Sequence, residues 1–334
     1  MTTTKTFPPQ REGQLFLTDG GIETEIMYKW GFELPHFAMY PLLDNPDAMV
    51  AMRGMYRRYL DVVARHRLSA LMGGLDYRAS PDWGALLGYS REGLAEANLR
   101  SIAFLRELAA EYADDIAQIL IAGYVGPRGD AYKVNRTITA PEAEDYHAVQ
   151  LATLREADVD LAWALTFNNI PEAIGVARAA AGIGVPLAIS FTLDSASRLS
   201  SGPSLAEAIE TVEAATGAAA PAFYTLNCSH PLEFEPALST QGDWIERVRG
   251  FRPNASKMDK IALCKLGHLE EGDPVELGRL MGALARRYPH MDVWGGCCGT
   301  GDVHLDEIAR NLVAARRGSA AAPAGEATAA LGHT

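Results

Sequence analysis

Three cysteines in two short segments carry the clearest chemical signal in this sequence. Cys297 and Cys298 stand side by side in Trp294-Gly295-Gly296-Cys297-Cys298-Gly299-Thr300-Gly301, and Cys228 stands in Asn227-Cys228-Ser229-His230. Zinc takes thiolates in tetrahedral geometry, and three of them leave a fourth corner for water or a substrate, as in a catalytic site. Adjacent cysteines share one ion only where the backbone bends sharply, and Gly295, Gly296 and Gly299 supply that freedom. The plainer account makes them small apolar residues packed at strand ends. It suits one cysteine better than three in two turns. A disulfide between immediate neighbours is sterically poor. Four cysteines in 334 residues are also too sparse for a disulfide scaffold, so clustered ones read as metal-binding or catalytic. Cys264 falls inside an expected strand and reads as core filler. His230 is either a fourth ligand, a donor to a ligand or an ordinary loop histidine, and His304 reads as solvent-facing or capping.

Elements that would position these residues alternate along the chain. Apolar runs rich in β-branched residues at Leu15–Thr18, Ala70–Leu75, Ile119–Val125, Leu161–Phe167, Pro186–Thr192, Ala222–Asn227, Ile261–Lys265 and Asp292–Gly295 read as strands. Between them lie helical patterns, including Asp47–Arg67, Arg91–Tyr112, Ala140–Ala157, Ile170–Ala181, Ser204–Thr216 and Pro274–Tyr288. Asn45 before Pro46, Ser90 before Gly93, and Thr139 before Pro141 and Glu142 are start signals. Eight such units over this length predict an α/β fold, a single (β/α)8 TIM barrel over residues 12–316, with a disordered tail over 317–334. A doubly wound sheet would want a Gly-rich phosphate turn after its first strand, and Thr18-Asp19-Gly20-Gly21 is not one. Both cysteine segments follow strands, and the C-terminal strand ends are where such barrels keep their active sites. Strands six and eight flank strand seven, so their ends can share one ion.

Composition narrows the partners. The formal net charge of -12, with no basic run, argues against nucleic acid. No apolar stretch is long enough to span a membrane, and the polar segment Met1 to Arg11 lacks a secretory signal core, so a cytoplasmic location is expected. Trp30, Trp83 and Trp244 either mark a homo-oligomer interface or cap the barrel.

At its cysteines and at three other turns the chain resembles the homocysteine S-methyltransferase family, whose members methylate a thiol on a zinc-bearing (β/α)8 barrel. The resemblance runs from about Leu15 to Val313. It rests on Asp19-Gly20-Gly21-Ile22-Glu23-Thr24-Glu25, Gly123 to Gly129, Asn227-Cys228 and Gly295 to Thr300. It implies Zn²⁺ held by Cys228, Cys297 and Cys298, a small-molecule thiol acceptor and a methyl donor. Zinc would keep the acceptor as a nucleophilic thiolate, while the protein positions the two reactants. Asp19, with the Gly20 and Gly21 amides, would hold the amino-acid end of the acceptor. Glu23, Thr166 and Asn227 would also face the substrate.

Two positions depart from the family pattern. Where the family carries a Glu that pairs with the ammonium of homocysteine, this chain has Leu165, followed by Thr166. Where it carries a Thr after strand two, this chain has Gly74. A bound ammonium facing Leu165 would be unpaired, so the acceptor is homocysteine held another way or a related thiol. Asp76, Arg78 and Asn168 offer other polar contacts, and Arg78 suits an acidic acceptor. Two further readings stand beside a methyltransferase: a zinc hydrolase using Asp19, Glu23 or His230 as base, and a metal- or thiol-binding protein without catalysis.

Overall fold

A computed structural model describes residues 5–240 and 242–320. Eight parallel strands close on themselves: β1 (Phe16–Thr18), β2 (Ser69–Gly73), β3 (Ile119–Val125), β4 (Leu161–Phe167), β5 (Leu187–Phe191), β6 (Phe223–Asn227), β7 (Val248–Arg252) and β8 (Val293–Trp294). β1 pairs with β8 through Phe16 opposite Val293, which completes the barrel. Closure leaves no free strand edge, and every strand is covered by helices outside and side chains within.

The expected helices form, each ending within two residues of its predicted bounds. The Asn45 side chain accepts from the Asp47 and Ala48 amides, and Ser90 accepts from Gly93. Thr139 and Glu142 make a reciprocal capping box. Each cap satisfies donors that the helix cannot, worth about 1 kcal/mol apiece. The last helix, Asp302–Ala320, continues past the expected start of the tail at Arg317; the rest of that tail lies outside the described residues.

The seventh strand is not where the sequence pattern put it. Ile261–Lys265 begins inside a short helix, Lys260–Leu263, and Ile261 is exposed. Cys264, expected inside a strand, is exposed beyond that helix. The strand is Val248–Arg252, which carries two buried arginines. Both are neutralised by distant partners. Arg249 forms a two-pronged ion pair with Asp292, its Nε 2.8 Å from Oδ1. Arg252 pairs with Asp19 and lies against Tyr124 and Trp163, their ring centres 5.0 and 5.3 Å from the guanidinium carbon. A buried arginine is tolerated when its charge is paired and its donors are used.

Candidate active site

The C-terminal strand ends converge on a cavity of about 310 Å3. Its base is a layer of turns stitched by backbone hydrogen bonds. Cys228 N donates to Arg252 O, Asn254 N to Ser229 O, Ala255 N to Cys298 O and Cys297 N to Pro253 O. Gly296 N donates to Asp19 O and Gly21 N to Thr300 O, which brings in the turn after β1. A side chain could not stand at Gly21, because a Cβ there would lie 2.5 Å from Cys297 O. Gly299 is left-handed at φ +81°, and a Cβ there would meet Glu270 O at 2.3 Å. Of the three glycines expected to bend the chain at Cys297 and Cys298, Gly299 alone is left-handed; in the other turn the backbone bends at Cys228, itself left-handed at φ +56°.

That bend matters because it turns Cys228 toward the other two cysteines. The sulfurs of Cys228, Cys297 and Cys298 all lie within 4.8 Å of one another, and those of Cys228 and Cys297 are 2.7 Å apart. They are free thiols. Among the described residues this is the one grouping of three ligand-type side chains close enough to hold an ion. Its chemistry fits zinc: three soft donors, buried or half-buried, with a cavity on the remaining side. The thiols of Cys228 and Cys297 lie within hydrogen-bond distance of each other. Hydrogen bonds from Cys297 and Cys298 pull Cys228 well below the usual thiol range, with Lys260 adding a weaker pull. The same bonds push Cys298 up, and the bond to Cys228 pushes Cys297 up to about 12.

Asn227 organises the surroundings of the cluster. Its amide nitrogen donates to Thr166 Oγ1 at 2.8 Å and Cys228 Sγ at 3.2 Å, and points to Cys297 Sγ at 3.9 Å. Its oxygen accepts from Ser190 Oγ at 2.8 Å and Thr166 N at 3.2 Å. Thr166 sits at a register shift in β4 with φ +66°, a strained conformation for a β-branched residue. The distorted strand end lets Thr166 line the cavity beside Leu165.

The remaining expected site residues fall in two layers. Gly20, Glu23 and Arg78 line the cavity. Burial pushes the Glu23 carboxyl up to about 7, with the nearby Cys297 and Asp19 charges adding to it. Asp19 lies beneath, both oxygens taken: Tyr124 OH donates to Oδ1 at 2.7 Å, Arg252 to the same oxygen, and Gly73 N to Oδ2 at 3.2 Å. Burial raises its pKa despite the opposing pull of Arg252. Asp76 is fully buried outside the cavity lining; its Oδ1 accepts from Tyr124 N and its Oδ2 has no partner. Gly74 packs against Asp76 and Ser101. Asn168 donates to Ala131 O.

His230 is a helix cap, accepting from Leu232 N, and burial lowers its pKa to about 4. His304 is buried; Nδ1 accepts from Gly301 N, and Nε2 hydrogen-bonds Glu271 O. Trp244 is buried and Trp83 partly so, while Trp30 stays exposed.

The sequence reading missed Arg252 and Lys260, both cavity-lining. The Lys260 ammonium donates to Thr192 Oγ1, Ser229 Oγ and Leu193 O, tying the loops after β5, β6 and β7 together. No local pattern marks Arg252, whose counter-ion Asp19 lies 233 residues away in the chain.

The homocysteine S-methyltransferase family profile matches residues 16–312. The chain belongs to the homocysteine S-methyltransferase family. Membership makes it an enzyme of the methyltransferase class. Among solved structures it resembles the homocysteine methyltransferase MmuM from Escherichia coli. With the metallated form it shares 20% identity at a TM-score of 0.70, over 90% of this chain and 96% of that one. With the oxidized form it shares 20% identity at a TM-score of 0.71, over 88% and 94%. At that identity the likeness speaks for the fold. No curated protein sequence matches the chain. No helix among the described residues is long and apolar enough to cross a membrane.

Proposed function

We propose that this family member is a zinc-dependent S-methyltransferase that moves a methyl group from a small-molecule donor to a thiol, homocysteine or a related one. The observation that carries the reading is the convergence of three cysteine sulfurs, from the ends of β6 and β8, at the base of a cavity roomy enough for small metabolites. Zinc held by Cys228, Cys297 and Cys298 would supply a thiolate at neutral pH while leaving it nucleophilic.

The chain's own residues do the rest. Asn227 donates toward two of the three sulfurs, which steadies their negative charge and fixes their orientation. Asp19 and Tyr124 hold the Arg252 guanidinium beside Cys297, where its charge offsets that of the thiolates. The walls would align donor with acceptor, which is most of what an in-line methyl transfer asks of a protein.

Metal-assisted hydrolysis is less well served. Of the three candidate bases, Asp19 has both oxygens engaged beneath the cavity and His230 caps a helix, which leaves Glu23 beside the other cavity-lining carboxylates, Asp130 and Glu270. Three thiolates also make a weakly electrophilic zinc. The experiment is product detection by mass spectrometry: zinc-loaded protein with homocysteine and a panel of sulfonium, betaine-type and methyl-folate donors. Methionine would support the reading and name the donor. No methylated thiol from a zinc-loaded sample, with homocysteine and a set of acidic thiols, would overturn it.

A further inference from the structure

Arg78 has the features of a guanidinium awaiting an anion. It is only 7% exposed, lines the cavity, and forms no ion pair among the described residues. It packs against two rings, the carbon of the guanidinium 4.3 Å from the Trp83 centroid and 4.8 Å from that of Tyr77. One hydrogen bond, Nη1 to Gly129 O at 2.8 Å, fixes its rotation. What remains is the Nε–Nη2 edge. Nε is buried with no partner, and Nη2 makes no hydrogen bond among the described residues. That edge is the fork that docks a carboxylate through two parallel bonds.

A buried cation packed against two aromatic rings and left without a counter-ion is costly for the protein alone. The cost is recovered when a ligand brings the charge. Asp76, two residues away, is not the missing partner: its carboxyl is perturbed by burial and backbone hydrogen bonds, with no charged neighbour. The loop after β3 seals the arrangement, since Gly126 N donates to Tyr77 O and a Cβ at Gly126 would lie 2.4 Å from that oxygen.

Arg78 is also placed to reach the cysteines through a ligand. Tyr77 carries the guanidinium on its ring and lines the same cavity as Thr166, whose Oγ1 lies 4.0 Å from Cys228 Sγ. A ligand with sulfur at the cysteines and a carboxylate at Arg78 would lie within the one cavity that Arg78, Tyr77 and the cysteines line. Leu165 offers hydrocarbon on the same cavity wall.

We infer that the Nε–Nη2 edge of Arg78 is a carboxylate subsite, so that one of the two reactants is a short-chain acid carrying its sulfur at the other end. This rests on the methyltransferase reading for which ligands enter the cavity, though not for the anion chemistry itself.

The test is calorimetric binding to zinc-loaded protein, which needs no turnover. Two matched pairs are titrated: 3-mercaptopropionate against its methyl ester, and dimethylsulfoniopropionate against its methyl ester. The expected result is a preference of tenfold or more for the acid in one pair, abolished in Arg78→Met and partly restored in Arg78→Lys, with ester affinity unchanged. A preference in the thiol pair assigns the carboxylate to the acceptor, and one in the sulfonium pair assigns it to the donor. Equal binding of acid and ester in both pairs overturns the subsite, as does a preference that survives in Arg78→Met. Should Arg78→Met fail to fold, the wild-type ratios and Arg78→Lys still decide. Acid preference without any methylated product would sink the methyltransferase reading and leave the subsite standing.

Discussion

Asn227 and Thr166 exchange hydrogen bonds in both directions: the asparagine amide donates to Thr166 Oγ1 at 2.8 Å and accepts from Thr166 N at 3.2 Å. One side chain thereby holds the backbone and the hydroxyl of a residue in a strained left-handed conformation. The same amide donates to Cys228, so strain in β4 and sulfur position in β6 are coupled through a single residue.

Asn227→Ala should therefore act on the metal as well as on the fold. The unpaired Thr166 amide and Ser190 hydroxyl cost about 1–3 kcal/mol of stability. Loss of the donor to sulfur should lower zinc affinity by roughly tenfold or more. Urea unfolding and competition against a chromogenic chelator separate the two effects. A variant that loses stability but keeps its zinc affinity would show that the asparagine is only a strut.

The cysteines are not equivalent. Cys297→Ala removes a ligand and should abolish both zinc retention and activity, while Cys264→Ala, at an exposed residue on the cavity rim, should leave zinc content unchanged. Zinc-to-protein ratios by mass spectrometry read both. Full zinc in Cys297→Ala would contradict the ligand assignment.

Leu165 is 5% exposed and lines the cavity, so Leu165→Glu would place a carboxylate on that wall. We expect the variant to favour homocysteine over 4-mercaptobutyrate, the same skeleton without its amino group, by about tenfold more than wild type does, the order of one paired charge. Competition kinetics with the two thiols would show this. No change in the ratio would mean that the ammonium is turned elsewhere, toward Glu23.

Asp76 should leave a signature in stability against pH. Burial raises its carboxyl from the usual 3.8 to about 7. The native state therefore binds this proton more tightly than the unfolded chain. The resulting stabilisation is complete below pH 3.8 and is lost as pH rises through about 7. Asp76→Asn keeps an oxygen for Tyr124 N and removes the titration. Its stability relative to wild type should rise between about pH 4 and pH 7, by up to about 4 kcal/mol, and level off above. Parallel pH–stability curves for the two proteins would refute the assignment.

How far the sequence spoke depended on whether a feature was local. The cysteine turns were legible because Gly and Cys types in short spacing carry their own geometry, and the helix starts because Asn45, Ser90 and Thr139 cap within three residues. β7 was not legible. Its Arg249 and Arg252 are made acceptable by Asp292 and Asp19, 43 and 233 residues away, and no local pattern contains those partners. The apolar run at Ile261 looked like a strand because it is short and aliphatic, yet Ile261 lies exposed on a short helix of the loop after β7. Missing that strand hid Arg252, and with it the reason both oxygens of Asp19 are occupied.

The backbone ladder under the cavity has a consequence for how the protein is made. Cys228 and Cys297 are separated by 69 positions, and the turn holding Cys297 and Cys298 is braced against Gly21 and Asp19 near the start of the chain. During synthesis Cys228 emerges long before its companions, and its partners take their places only after β8 has docked on β1. The three-sulfur cluster is thus among the last things the ribosome's product acquires. The three sulfurs therefore meet in a finished barrel, and their cluster cannot guide the folding of a growing one.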